Sequence, residues 1–186
     1  MSGKVQRPPF VIFDLATHGT RDPKHFVLHM TEGYGSIEWL AGYFRDSGPL
    51  GVTFITEPNG RMGMLREGPM AETYHVLSHN SECIGVEQIG FSSRTRRQWL
   101  TTYKRQFWAV CWIGAWAGQE LDIPTVQSAK DRRWIAPSGY CQHSDVPDND
   151  HSDCGPNFRF HDFMTLVARW RRTGVPLFVR AVLPKR

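Results

Sequence analysis

A polar segment in the last third of the chain holds most of the residues that could do chemistry. The fifteen residues from Gln142 to Pro156 include two histidines, four aspartates and a cysteine, and they contain almost no apolar side chains. Imidazole, carboxylate and thiolate groups are the protein ligands of zinc and related metals. A loop of this composition either holds a metal ion or is simply hydrated, and composition alone leaves both interpretations open.

A second candidate lies much earlier, inside the apolar run from Phe26 to Met30. His29 is the polar residue of this run, and a histidine in such a place is more often a satisfied core residue than a ligand. The run is typical of a buried strand, and Thr31-Glu32-Gly33 follows it directly. Functional sites of α/β folds gather where such strands end. His29 and the polar loop are therefore candidates for one site.

Hydrophobic periodicity predicts the elements that must position these residues. We expect strands at Phe26–Met30, Gly51–Thr56, Arg61–Leu65 and Ile84–Ile89, with a hairpin turn at Pro58-Asn59-Gly60. We expect helices after Ser36, along the apolar stripe from Trp99 to Leu121, and from Phe160 until Gly174. Strands and helices interleave, which predicts a mixed α/β class with one sheet and helices packed on it.

Length and composition exclude several classes of protein. The 186 residues are 40% hydrophobic, with seven Trp and eleven Phe, which suits one domain with a real core and excludes a disordered chain. The sequence predicts no transmembrane helix, because no run approaches 18 apolar residues. We also expect no signal peptide, because Asp14 interrupts the first apolar stretch. The four cysteines contain no Cys-x-x-Cys pair, which excludes a four-cysteine zinc site, and they do not form a disulfide framework.

Several segments in order resemble the type 2 N-acetylmuramoyl-L-alanine amidases, the relatives of peptidoglycan recognition proteins and short phage endolysins. They span roughly residues 24–172 and comprise Phe26–Thr31, Gly51–Ile55 with the Asn59-Gly60 turn, Thr73-Tyr74-His75, Ile84–Glu87, and His143–Val146 with Asp153–Pro156. The sequence of residues 149–153 is most similar to that of the amidase domains of actinobacteriophage lysins. The resemblance implies a single mixed β-sheet flanked by helices. It divides the single catalytic domain, 1–186, into a leader (1–24), a core (24–172) and a basic tail (173–186).

The resemblance also implies a zinc site with one open position for water. Its ligands would be His29, His143 and Asp153. The family often reads Asp-Pro-Gly or Cys-Pro-Gly at the third position, whereas this chain reads Asp153-Cys154-Gly155. Cys154 is therefore the alternative third ligand, and a small buried residue is its other interpretation.

The same resemblance assigns roles to four more residues. Glu87 matches the catalytic glutamate, the general base and then acid. His151, two residues before Asp153, would donate to the oxyanion of the tetrahedral intermediate, or else is a solvated loop histidine. His75 and Tyr74 would bind substrate, although core packing is an equal interpretation for Tyr74. Some members carry a catalytic Tyr where this chain has Gly51-Val52-Thr53, so the glutamate would act without it.

These assignments predict a zinc-dependent peptidoglycan hydrolase that cuts the amide between N-acetylmuramic acid and L-Ala of the stem peptide. We expect the protein to be a phage endolysin or its catalytic module. Such a protein would stay in the host cytoplasm until it is released to the cell wall. A cytosolic muropeptide-recycling amidase and a non-catalytic peptidoglycan-binding protein of the same fold are the alternatives. We expect a monomer with peptidoglycan as partner and no nucleic acid, because no nucleic-acid motif accompanies the basic segments.

Basic residues cluster at two places, in residues 94–105 and from Arg169 to Arg186. The second stretch carries six basic residues and no acid. Such a stretch can attract anionic walls or membranes over long range. Leu177, Phe178, Val179 and Val182 lie within it, so docking on the domain as structure is the equal alternative.

Overall fold

The computed structural model of the chain describes residues 4–15, 19–48, 50–66 and 68–183. The strands in these ranges are β1 (Val11–Ile12), β2 (His25–Met30), β3 (Phe54–Thr56), β4 (Met62–Met64), β5 (Cys83–Gln88), β6 (Ala129–Lys130), β7 (Arg133–Trp134) and β8 (Gly139–Gln142). The α-helices are α1 (Ile37–Asp46), α2 (Arg96–Leu100), α3 (Lys104–Glu120), α4 (Phe160–Thr173) and α5 (Leu177–Val182).

Six strands form a central mixed sheet in the order β1-β4-β3-β5-β2-β8. Strands β3, β5, β2 and β8 run parallel to one another, whereas β4 runs antiparallel to β3. All six residues of the central strand β2 are buried, which explains its nearly continuous apolar sequence. Strands β6 and β7 form a separate two-stranded ribbon. The predicted α/β class, with a mixed sheet flanked by helices, is confirmed.

The two faces of the sheet are covered by different helices. Helices α3 and α4 pack on one face against Phe26, Leu28 and Met30 of β2. Helix α1 packs on the other face and buries its apolar stripe of Ile37, Leu40, Ala41 and Phe44. Side chains alternate along a strand, so His29 points to the α1 face. A site that uses His29 therefore lies between the sheet and α1.

Helix α1 begins as the sequence predicts. The Ser36 hydroxyl accepts a hydrogen bond of 3.2 Å from the Trp39 backbone N–H, which satisfies one of the free donors of the first turn. The predicted hairpin between β3 and β4 is also present. Its turn closes through a bond from the Gly60 N–H to the Glu57 carbonyl, and Gly60 adopts a φ of +92°, where glycine is favoured.

The single helix predicted from Trp99 to Leu121 is two helices, so that prediction was wrong in its continuity. The chain turns at Thr101–Tyr103 between α2 and α3. The Thr101 hydroxyl donates to the Arg97 carbonyl, and a β-branched residue with such a local bond is a poor helix former. Trp99 and Phe107 stay buried on both sides of the break, so the apolar stripe that suggested one helix is preserved.

The strand predicted at Gly51–Thr56 is shorter than expected. Only Phe54–Thr56 pairs as β3. Gly51 adopts a φ of +136°, which is incompatible with a regular strand, and its N–H donates to the Tyr74 carbonyl. The irregular stretch ahead of β3 therefore borders the segment that carries Tyr74 and His75.

Both ends of the described chain pack against the domain. In the first segment Val5 and Phe10 belong to the core, and β1 pairs with β4. In the basic tail, α5 follows α4 after Gly174 and buries Val179, with Leu183 just beyond it. These contacts favour docking for the described part of the tail. Residues 184–186 of the tail, like Ala16–His18, lie outside the described residues.

Two further features agree with the sequence. All four cysteines are buried free thiols. Burial raises the pKa of each thiol, to about 12 for Cys141. None of the helices in the described ranges is long and apolar enough to cross a membrane.

The docking of α5 gives a stability prediction. Val179→Ala should lower the free energy of unfolding by about 1–3 kcal/mol, because it removes buried methyl groups and leaves a cavity. Leu177→Ala on the same helix is the control, because Leu177 is 74% exposed and should change stability by less than about 0.5 kcal/mol. Urea unfolding of both variants measures the difference. Equal effects would contradict the docking of α5.

Candidate metal centre and active site

Three predicted ligands converge where β2 and β8 end. His29 is the fifth residue of β2, and His143 directly follows β8, the parallel neighbour of β2. The Nδ1 atoms of His29 and His143 are 3.0 Å apart. Asp153 places Oδ1 3.2 Å from His143 Nδ1 and Oδ2 3.8 Å from His29 Nδ1. The three side chains are buried, and their ligand atoms lie within 4.8 Å of one another, which suits a single ion.

Backbone contacts hold Asp153 in this position. Its Oδ2 accepts a 2.9 Å hydrogen bond from the Met30 backbone N–H, at the end of β2. The Ser144 N–H donates to the Asp153 carbonyl at 2.7 Å, which brings the two ends of the polar loop together. Inside the loop, the buried Asn149 side chain donates to the His143 and Val146 carbonyls. These hydrogen bonds hold the polar loop in one conformation next to the end of β2, so the loop is more than a hydrated surface segment.

The protonation states of this group suit a metal ion. Burial lowers the pKa of His29 well below its usual value, and the nearby His143 and His75 act in the same direction. His29 is therefore neutral at pH 7, as a metal ligand must be. Burial alone would raise the pKa of Asp153, but the hydrogen bond from His143, the electrostatic interaction with the two imidazoles and the hydrogen bond from the Met30 N–H outweigh it and lower that pKa to about 2. Neutral imidazole and ionised carboxylate are the donors that zinc binds.

Cys154, the alternative third ligand, faces away from this group. Its side chain is fully buried in the core beneath α3 and α4, and its Sγ accepts a 3.3 Å hydrogen bond from Gln88 Nε2. Burial raises the pKa of the thiol well above its usual value, which disfavours the thiolate that binds metal. The geometry favours Asp153, as the sequence-based assignment did.

Glu87 lies on the same face of the sheet, beside His29. The two residues are register partners in the parallel pair β2–β5, so their side chains point to the same side. Both line a cleft of about 760 Å³. Among the described residues, Glu87 Oε2 has no hydrogen-bond partner. Burial, and secondarily the negative charge of Asp153, raise the pKa of Glu87 to about 8. A cation at the neighbouring ligands would counteract the second effect.

His151 stands at the mouth of the cleft. Its ring stacks on the ring of His143, with centroids 4.2 Å apart, and its side chain is 56% exposed. Its Nδ1 lies 3.7 Å from Asp153 Oδ1. An imidazole in this place can donate a proton or a hydrogen bond into the cleft while remaining in contact with water. His151 is thus a solvated loop histidine, as one interpretation of the sequence expects, and it also borders the proposed ligands.

Tyr74 and His75 also reach the cleft, in different ways. Tyr74 is 37% exposed and lines the cleft wall, so it is not a core residue. His75 lies deeper, with its Nδ1 2.9 Å from Nε2 of His29. Burial lowers the pKa of His75 well below its usual value, and the charge of Arg21 acts in the same direction. His75 therefore contacts a proposed metal ligand directly, a contact that the sequence did not predict.

The sequence analysis did not predict that helix α1 forms part of the cleft wall. Leu40, Tyr43 and Phe44 of α1 line the cleft together with the residues Asp150 to Ser152 of the polar loop. The i, i+3, i+4 spacing predicted an inward face for α1, but nothing in it indicated that part of that face borders a cleft. The resemblance aligns Val52 and Thr53 with the segment in which some amidases carry a catalytic Tyr. Both are buried, and the Thr53 hydroxyl accepts a hydrogen bond from Arg21.

Comparison with known proteins identifies the fold. The sequence matches no family model and no curated protein. The structure is similar to the N-acetylmuramoyl-L-alanine amidase LysC from Clostridium intestinale URNW, with 15% identity, a TM-score of 0.66, and coverage of 87% of this chain and 99% of that one. It is also similar to the Staphylococcus aureus hydrolase AmiA, with 14% identity, a TM-score of 0.67, and coverage of 98% and 90%.

A third solved structure is the Ph2119 endolysin of a Thermus scotoductus bacteriophage, with 12% identity, a TM-score of 0.58, and coverage of 87% of this chain and 92% of that one. The chain has the type 2 amidase fold. The resemblance found in the sequence is thus confirmed for the fold. Identities this low do not transfer an activity, so what the amidase fold does in this chain has to be argued from its own cleft.

The converging ligands predict one tightly bound zinc ion per chain. His29→Ala, His143→Ala or Asp153→Ala should each abolish stable zinc binding, because two remaining ligands hold the ion poorly. Cys154→Ala is the matched control, because its side chain neighbours the site but faces the core. Metal content after extensive dialysis measures the effect. Retention of zinc by Asp153→Ala together with its loss from Cys154→Ala would reverse the assignment.

Proposed function

We propose that the protein is a zinc-dependent N-acetylmuramoyl-L-alanine amidase that hydrolyses the amide between N-acetylmuramic acid and L-Ala of the stem peptide. The observation that carries the proposal is the convergence of His29, His143 and Asp153 with Glu87 in one cleft of an amidase fold. Fold similarity alone would not select this chemistry. A buried two-histidine, one-carboxylate group beside a second carboxylate is suited to hydrolysis.

In this proposal His29, His143 and Asp153 would hold the zinc ion, which when bound would supply Lewis acidity toward water and the amide carbonyl. Glu87 accepts the proton of the attacking water and then delivers it to the leaving amine, as general base and then acid. The pKa of about 8 that Glu87 has without a cation would leave it protonated at neutral pH, so the role of base requires the positive charge of a bound cation to lower that pKa. His151 donates a hydrogen bond to the oxygen that becomes negatively charged in the transition state.

Peptidoglycan is the proposed substrate because the cleft is lined by two unlike kinds of residue. Tyr43, Leu50 and Tyr74 contribute apolar and aromatic surface to its wall, whereas Asp150, His151 and Ser152 contribute polar groups. A muramoyl-peptide combines apolar ring faces and methyl groups with amides and hydroxyls. Aromatic side chains with exposed faces suit the first kind of group, and the polar groups of the cleft suit the second.

For the biological setting we propose a phage endolysin or its catalytic module. Several solved structures of the same fold are named as endolysins, which supports this choice. A cytosolic muropeptide-recycling amidase is the second candidate, because the similar structures also include proteins that are not named as endolysins, such as AmiA and AmpD. Activity on intact walls compared with soluble muropeptides separates the two.

Glu87→Gln tests the proposed general base. The change preserves the shape of the side chain and removes the proton acceptor, so turnover of purified cell walls should fall by about 100-fold or more while zinc content stays the same. The assay counts new amino-terminal Ala per unit of wall, which reports the proposed bond directly. Chelation of the metal should abolish the activity, and zinc should restore it.

The nearby Glu32→Gln is the matched control, because Glu32 also lines the cleft but its carboxylate accepts a hydrogen bond from the Ser92 N–H. We expect its turnover to stay within a factor of a few of the parent. A folded, zinc-loaded Glu87→Gln variant with normal turnover would refute the role of Glu87. Wall binding without any new amino-terminal Ala in the parent protein would instead favour the non-catalytic alternative.

The aromatic wall gives a prediction about substrate affinity. Tyr43→Ala should raise KM about 2- to 10-fold with little change in kcat, which corresponds to the ~0.5–1.5 kcal/mol of one aromatic contact. Tyr43 is 50% exposed beside the cleft. Ile135→Ala is the control, because Ile135 is 57% exposed and does not line the cleft. Steady-state kinetics on a soluble muropeptide measures both, and an unchanged KM for Tyr43→Ala would exclude this wall from binding.

A further inference from the structure

The two ring nitrogens of His29 have different partners. Its Nδ1 faces His143 and Asp153, whereas its Nε2 lies 2.9 Å from Nδ1 of His75. The His29 and His75 rings meet edge to face, at 76°, with centroids 4.9 Å apart. A ring held in this way at its far nitrogen can rotate little around the bond that would direct Nδ1 toward a metal.

The partners of His75 determine where the protons are. Its Nε2 lies 3.4 Å from the Cys83 backbone carbonyl, which can only accept a hydrogen bond. The proton of neutral His75 therefore sits on Nε2, and its Nδ1 is an acceptor. His29 must then donate from Nε2, which leaves the lone pair on its Nδ1 free. The chain of bonds thus selects the one tautomer of His29 whose Nδ1 can bind a metal.

A buried arginine fixes the end of this chain. The guanidinium of Arg21 donates to the Cys83 carbonyl and to the hydroxyls of Thr53 and Thr73. It holds the carbonyl that accepts from His75. With that carbonyl fixed in place, the His75 ring keeps its Nδ1 directed at His29 as the acceptor.

The strand beneath has a gap that fits the two rings. A Cβ atom on Gly85 would lie 2.7 Å from Nδ1 and Cε1 of His75 and 3.1 Å from Nε2 of His29. Glycine at this position of β5 is therefore required for the contact between the rings. The backbone of His75 is fixed as well, since the His75 and Val76 N–H groups both donate to Asn80 Oδ1 at 2.8 Å.

We propose that His75 is a positioning residue that orients His29 and selects its tautomer for metal binding. This role is distinct from the substrate contact expected from the sequence. It rests on the metal site proposed above, and it does not depend on which bond the enzyme cuts. Partners of this kind behind a metal-binding histidine usually contribute 10- to 100-fold to metal affinity.

The test compares two substitutions of His75 by zinc affinity, measured by competition with a chelator. His75→Leu removes the acceptor at similar bulk and should weaken zinc binding about 10- to 100-fold. His75→Asn places Oδ1 near the former Nδ1 and should recover most of the lost affinity. Zinc affinity is independent of amidase activity, so an inactive parent protein would not affect the result. Unchanged zinc affinity in folded His75→Leu, with a raised KM only, would overturn the proposal in favour of a substrate contact.

A second pair of variants leaves both histidines in place. Gly85→Ala should displace the His75 ring and weaken zinc binding, whereas Gly63→Ala, in β4 of the same sheet, meets the Phe13 side chain at 3.3 Å and Ile37 at 3.6 Å, touches neither histidine, and should not. Long-range ¹H–¹⁵N spectra of the parent protein should show the His29 and His75 protons on Nε2. A proton on Nδ1 of His75, or equal zinc affinity in the two glycine variants, would refute the proposal.

Discussion

The parallel register of β2 with its two neighbours is the constraint on which the rest of the site depends. Backbone hydrogen bonds pair His29 with Glu87 on one side, and on the other side they bring the end of β8, and so His143, next to the end of β2. A slip of one residue would turn His29 into the core beneath α3 and α4 and bring Leu28 or Met30 to the cleft. Burial of β2 on both faces makes such a slip costly, since every one of its side chains would change environment. The pairing of the main chains thus sets the relative positions of His29, Glu87 and His143, independently of contacts between their side chains.

The end of β2 does more than carry His29. Its Met30 N–H holds the Asp153 carboxylate, and the His29 carbonyl accepts a 3.1 Å bond from the buried Gln88 amide. That amide also contacts the Cys154 thiol, so Gln88 connects β2 to the loop segment next to Asp153. Two adjacent loop residues therefore have opposite tasks, with Asp153 facing the cleft and Cys154 facing the core. This division explains how a cysteine can stand beside the candidate metal site while its sulfur lies apart from the three proposed ligands.

Sequence reasoning recovered the parts of the molecule that local patterns specify. The buried run Phe26–Met30, the Ser36 cap and the turn at Gly60 each follow from residue types within a few positions, and each is present. The break at Thr101–Tyr103 was missed because Trp99 and Phe107 keep the same apolar stripe on either side of it. The short β8 was missed because Gly139–Gln142 has no periodicity of its own and is specified only by pairing with β2.

The site shows the same division between local and tertiary information. The metal-binding composition of the polar loop and the lone histidine of β2 were visible in the sequence, and the resemblance to amidases connected them. The contact between His29 and His75 was not, because it joins residues 46 positions apart. One signal for it was present in Gly85, a glycine inside an apolar strand, where a missing side chain commonly marks the close approach of another group. Only the structure shows that the approaching group is the His75 ring.

The energetics of the cleft bear on the choice between an enzyme and a binding protein. Glu87 Oε2 lacks a hydrogen-bond partner among the described residues, and burying an unpaired carboxyl costs free energy. His29, His143 and Asp153, by contrast, are hydrogen-bonded to one another, which offsets part of the cost of burying them. A protein that only held peptidoglycan in this cleft would gain stability by replacing Glu87 with an apolar residue. An unpaired buried carboxyl in an otherwise close-packed domain is the pattern expected where stability is given up for catalysis, and it supports the proposed hydrolase.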